Sequence, residues 1–168
     1  MSKQQDELKL LCDLTVVKLG KKLRILGFDT EIIKTVNQQT VKELLRDTKR
    51  TLVTKSKKLA NACGGILITK NKTSEQLEEL FIILKNTNTQ LSNNPARCVY
   101  CNEVLVDCPK EEVIGRVPVY IFETLEHFKR CPKCGKVYWR GSFKDHIGIN
   151  GNIVGQNNLF KKTDKKDR

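Results

Sequence analysis

Leu8-Lys9-Leu10-Leu11-Cys12-Asp13-Leu14-Thr15-Val16-Val17-Lys18-Leu19-Gly20-Lys21-Lys22-Leu23-Arg24-Ile25-Leu26-Gly27 is the stretch that decides the fold. Its first five residues form a short apolar run that stops at a carboxylate, which reads as a buried strand ending at Asp13. From Leu14 to Leu26 the period changes. Val16, Leu19, Gly20, Leu23 and Leu26 fall on one helical face, with Lys18, Lys21 and Lys22 opposite. Gly27 then supplies a helix stop.

The same alternation continues downstream. Thr30-Glu31-Ile32-Ile33 reads as a second strand, 40–46 as a short helix, Thr51-Leu52-Val53-Thr54 as a third strand entering a helix over 55–62, and Ile66-Leu67-Ile68 as a fourth strand. A last helix runs to Leu84 from a cap at Thr73 or Ser74. Repeated strand–helix units predict an α/β domain over 8–85, a parallel sheet flanked by helices. In such sheets ligands gather at the C-terminal strand ends, where Asp13 falls. Residues 86–95 are polar, asparagine-rich and end in proline, which marks a linker.

Beyond the linker, Cys98-Val99-Tyr100-Cys101 and Cys131-Pro132-Lys133-Cys134 place two thiolates on each of two tight turns. Cys98, Cys101, Cys131 and Cys134 at that spacing predict one structural zinc holding a small zinc-ribbon-like module over 96–146. With four protein ligands such a site leaves no position for a bound hydroxide, so the zinc builds a fold and does no chemistry. Chelation is expected to unfold this module and leave the sheet before it largely intact. Between the pairs, Val113-Ile114 and Val117-Pro118-Val119-Tyr120-Ile121 are assigned to strands or to a connecting segment. Cys12, Cys63 and Cys108 make the cysteine total odd, which argues against a disulfide framework; Cys12 and Cys63 read as small core residues.

The formal net charge is +12. An excess of that size favours a polyanion, nucleic acid ahead of a membrane surface. Lys129, Arg130, Lys133, Lys136, Arg140 and Lys144 crowd around the second cysteine pair, interleaved with Tyr138 and Trp139. Cations beside flat rings can hold phosphates while stacking on bases, although Tyr138 and Trp139 also suit the small core of a zinc module. Residues 147–168 end in Lys161-Lys162-Thr163-Asp164-Lys165-Lys166-Asp167-Arg168 and are expected to form a mobile basic tail. No window reaches the ~18 apolar residues of a membrane span, and the opening residues carry no targeting pattern, so a cytoplasmic setting is expected, with nucleus and nucleolus left open.

Asp13, the run 19–30, the Leu52-Val53-Thr54 strand and Glu75-Gln76-Leu77 together resemble the Mut-seven C-terminal RNase family. Arg97-Cys98-Val99-Tyr100-Cys101-Asn102, Arg116-Val117-Pro118 and 131–142 are similar to that family's zinc segment, so the resemblance covers roughly 8–146. It implies a PIN-like fold in which carboxylates at the strand ends bind magnesium or manganese and activate water to cut RNA. Asp13 and Asp29 stand where the family has early acids. The family's Thr-Arg-Asp after the third strand is here Thr54-Lys55-Ser56, and an acid after the second strand is replaced by Asn37-Gln38-Gln39-Thr40. Lys55, Lys57 and Lys58 add positive charge where a cation should sit, which turns the site towards phosphate. Asp13 serves equally as a helix cap and Asp29 as a turn residue.

The reading with most support is a non-catalytic RNA-binding factor built on a degenerate PIN-like ribonuclease. Its surface would use Lys18, Lys21, Lys22, Lys55, Lys57 and Lys58 along with the zinc-module cations and rings. Its expected partner is ribosomal RNA or the ribosome, with ribosomal-protein contacts and no membrane, and its expected effect is to occupy a functional site and inhibit or store the particle. The alternatives are an active ribonuclease using magnesium or manganese, with Asp13 and Asp29 as the residual catalytic candidates, and a protein-binding zinc adaptor.

Overall fold

Strand and helix alternate from Lys9 to Asn86 as the hydrophobic pattern requires. The computed structural model of the protein describes residues 7–86 and 94–141. Its first part comprises β1 (Lys9–Cys12), α1 (Val17–Ile25), β2 (Asp29–Ile32), α2 (Gln38–Thr48), β3 (Thr51–Thr54), α3 (Lys57–Cys63), β4 (Ile66–Leu67) and α4 (Thr73–Asn86). The four strands form one parallel sheet in the order β2-β1-β3-β4.

Alternation along the central strands distributes the core over both faces of this sheet. Leu10, Cys12 and Val53 pack with Leu19 and Leu23 of α1 and with Leu77, Leu80, Phe81 and Leu84 of α4. Leu11 and Leu52 point the other way, onto Val41 of α2 and Leu59 of α3. Gly20 is what lets α1 lie close: a Cβ there would come within 3.1 Å of Ile32 and 3.2 Å of Cys12. Gly27, at φ +92°, ends the helix, with its own N–H on the Arg24 carbonyl and the Phe28 N–H on that of Leu23.

The second part is an antiparallel sheet of β5 (Val106–Cys108), β6 (Phe128–Arg130) and β7 (Val137–Trp139), joined by a 3-10 turn at Lys110–Val113 and a short helix, α5 (Val119–Thr124). The apolar run 117–121 is therefore helical and connecting, not a strand. Pro118 fixes φ at −55° at the helix start, and its carbonyl accepts the N–H groups of Ile121 and Phe122, so the chain is committed to a turn before β-branched preference can act. Ile121, Phe122 and Leu125 rest against the buried Cys108, Val113 and Phe128. Among the described residues no helix is long and apolar enough to cross a membrane. Lys144 and the expected tail over 147–168 lie outside the described residues.

Candidate functional site

The strand order reverses between β1 and β3, so the chain leaves their C-terminal ends in opposite directions and a crevice opens there. A cleft of about 770 Å³ occupies it, bounded by Asp13 and Thr15 after β1, by 36–39 and Lys42 around the start of α2, and by Ser56, Lys58 and Leu59 after β3.

Asp13 is fully buried at the floor of this cleft. Its Oδ1 accepts the Thr15 N–H at 3.0 Å and the Thr15 hydroxyl, and its Oδ2 accepts the Thr54 hydroxyl at 2.6 Å. Those hydroxyls in turn accept the N–H groups of Lys55 and Ser56 at 2.9 and 3.0 Å. The network stitches the end of β1 to the end of β3 and makes Asp13 the cap of the 3-10 turn Leu14–Val16. Two neighbouring positions are also caps. Asn37 Oδ1 accepts the Thr40 N–H at 3.1 Å to start α2, and Ser56 Oγ accepts the Leu59 N–H at 3.2 Å to start α3.

Magnesium or manganese asks for hard, available oxygens, carboxylates above all. Among the described residues the cleft offers a single carboxylate with both oxygens engaged by hydroxyls, flanked by the amides of Asn37, Gln38 and Gln39, the hydroxyls of Thr15 and Ser56, and by Lys42 and Lys58. These residues do not fit a divalent cation. Two lysines beside two helix starts fit an anion.

Asp29 is not brought to this site. In register it pairs with Lys9, four residues before Asp13, which at about 3.3 Å per residue puts it roughly 13 Å away, at the opposite, N-terminal end of the strands. Its Oδ1 accepts Arg50 at 2.8 Å and the side-chain amide of Asn102 at 2.6 Å. Burial opposes ionisation, but the hydrogen bonds from Arg50 and Asn102 prevail and hold the carboxyl below its usual range. A carboxyl depressed on folding adds stability that is complete above its unfolded value and fades as pH falls through the folded one. Asp29→Asn should thus cost about 1–2 kcal/mol at neutral pH. In thermal melts against pH the gap to wild type should close below about pH 4.

The four cysteines do converge. The Sγ atoms of Cys98, Cys101, Cys131 and Cys134 all lie within 4.8 Å of one another. A tetrahedral ion about 2.3 Å from each sulfur would hold them about 3.8 Å apart, and Cys98 and Cys134 stand at 3.7 Å. The set can bind one zinc. The two turns share a geometry: the Asn102 N–H meets the Cys98 carbonyl and the Gly135 N–H that of Cys131, with Asn102 and Gly135 both left-handed at φ 63° and 72°. Glycine and asparagine are the residues that tolerate this conformation. Cys108 lies elsewhere, on β5, near Glu112.

The first turn is bolted to the parallel sheet. Arg24 of α1, buried, donates to the carbonyls of Thr30 at 2.7 Å, Val99 at 2.8 Å and Tyr100 at 3.2 Å. Asn102 also accepts the Thr30 N–H at 3.1 Å, and Ile25 packs in one cluster with Cys98, Leu105, Cys131 and Tyr138.

The expected RNA-facing groups divide. Lys18, Lys21, Lys57, Lys58, Lys133, Lys136 and Arg140 are exposed, and Lys22 is half-buried. Lys55 is held by Asn71 at 2.6 Å, Lys129 by Asp107 at 2.7 Å, and Arg130 lies 3.6 Å from Glu112. Of the two readings of Tyr138 the structure shows the core one: the ring is buried, with its hydroxyl 3.1 Å from Cys98 Sγ, and is not exposed for base stacking. Trp139 is partly buried against the Phe128 cluster. Sequence reasoning missed Lys42, whose place on the cleft follows only from the start of α2, and Arg24, the one arginine on the buried side of a lysine-rich helix.

A family model described as Mut7-C RNAse domain matches residues 8–149. No curated protein and no solved structure matches the chain.

Proposed function

Because the chain belongs to the Mut7-C RNAse domain family, which points to a nuclease-related RNA function, we propose that it is a non-catalytic RNA-binding factor whose former metal cleft now receives a phosphate. The observation that carries this reading is the state of Asp13, the one acid among the described residues of the cleft, with both oxygens occupied, in a lining that is otherwise neutral except for Lys42 and Lys58. The net charge of +12 and the exposed cations at the zinc turns support a large, structured RNA. The ribosome is the partner we assign, with the protein in the cytoplasm occupying a functional site to inhibit or store the particle. One zinc on the four cysteines holds the C-terminal module in shape.

The test has two arms. The tagged protein is purified from its own cells at low salt and its sedimentation with ribosomal particles is followed, and the free protein is incubated with structured RNA and magnesium or manganese. Co-sedimentation with salt-sensitive binding and intact RNA is expected. Asp13→Asn should not weaken RNA binding, and should strengthen it by removing a negative charge from the phosphate cleft, while lowering stability by about 1–3 kcal/mol, since a buried acceptor is lost. Metal-dependent cleavage abolished by Asp13→Asn would overturn the proposal and make the protein an active nuclease.

A further inference from the structure

We propose that Tyr100 is a stacking platform for one unpaired RNA base, with Lys21 and Lys136 holding the flanking phosphates. The inference rests on the RNA-binding reading above and gives that binding a second contact point, away from the cleft. Tyr100 is 61% exposed and belongs to none of the core clusters, so its ring is not part of the hydrophobic core. Two ammonium groups from different parts of the chain approach it: Lys136 Nζ, beside the second zinc turn, lies 4.7 Å from the ring centroid, and Lys21 Nζ, on α1, lies 5.6 Å away.

The backbone beneath the ring is fixed. Arg24 donates to the carbonyls of Val99 and Tyr100, the Asn102 N–H closes the turn onto Cys98, and Asn102 is itself tied to Thr30 and Asp29. A large aromatic side chain carried on a rigid turn, exposed and flanked by cations, loses little freedom on binding. Exposed ammonium–ring contacts are weaker than base–aromatic stacking. An incoming base therefore displaces the lysines from the ring, and their flexible stems leave them within reach of the adjacent phosphates. The chemistry recognised is an unpaired base in a single strand or loop, because a base inside a duplex offers no free face.

The experiment uses the full, zinc-loaded chain and fluorescence anisotropy with a short unstructured oligoribonucleotide and, separately, a fully paired RNA duplex. Tyr100→Ala should weaken binding of the unstructured RNA about tenfold and leave duplex binding within twofold, with zinc content unchanged by metal analysis. Tyr100→Phe should bind like wild type. Lys136→Gln should lower the slope of log affinity against log salt for the single strand by about 0.7. If wild type binds the RNAs and Tyr100→Ala binds the single strand equally well, the platform is refuted and the RNA-binding reading stands. Equal loss in Tyr100→Ala and Tyr100→Phe also refutes it, since stacking needs the ring alone. If wild type binds neither RNA, both readings fall.

Discussion

Cys131→Ser is expected to cost the protein its metal and to destabilise both sheets, not the C-terminal one alone. Cys131 is fully buried beside Cys98 and Leu105, and the described small sheet has three strands of three residues each, too little apolar burial to fold unaided. Structural zinc supplies on the order of 10–16 kcal/mol to small modules, as much as the whole stability of an ordinary domain. Its loss therefore unfolds the module. The parallel sheet then loses its lid. Ile25, 1% exposed in a cluster with Cys98, Cys131 and Tyr138, would meet water at about 1.5–3 kcal/mol. Arg24 would lose two of its three carbonyl acceptors, and Asp29 and Thr30 would lose Asn102. The expectation that the sheet survives chelation largely intact is replaced by a coupled one. Metal analysis should find one zinc in wild type and none in Cys131→Ser. Hydrogen exchange should show faster opening of β1 to β3 amides after chelation. Unchanged protection of those strands would refute the coupling.

What the sequence disclosed and what it hid follow from the range of the interactions involved. β1 to α4 were legible because each strand and helix announces its own period, and Leu10 and Leu11 sort onto opposite faces by alternation alone. The cysteine pairs were legible because metal geometry constrains local spacing. Asp29 misled because a carboxylate's place on a strand is invisible without register: it begins β2, whereas Asp13 follows the end of β1. Tyr138 stayed open between two places because an aromatic in a basic run looks the same whether it faces water or Cys98. Arg24 to Val99 spans 75 residues, and no local pattern encodes such a contact.

Restoring acids to the cleft tests the reading most severely. Asn37→Asp with Ser56→Asp should leave the fold within about 1 kcal/mol of wild type, because both residues cap helices and aspartate caps about as well as asparagine or serine. The electrostatics, by contrast, should reverse. Two added carboxylates would join Asp13, Lys42 and Lys58 in the lining of one cleft, where unit charges ~8 Å apart interact by roughly 2 kcal/mol at an effective dielectric of ~20. RNA affinity without divalent ions should fall at least tenfold, and calorimetry should detect manganese binding that wild type lacks, since several carboxylates now offer oxygens free of the Thr15 and Thr54 hydroxyls. The two results have to appear together. Unchanged RNA affinity in a folded double variant would mean that phosphate never enters the cleft. In that case binding would have to be assigned to the cations at the zinc turns alone, and the lack of acids in the run 37–40 and at Ser56 would have removed catalysis without creating a phosphate site.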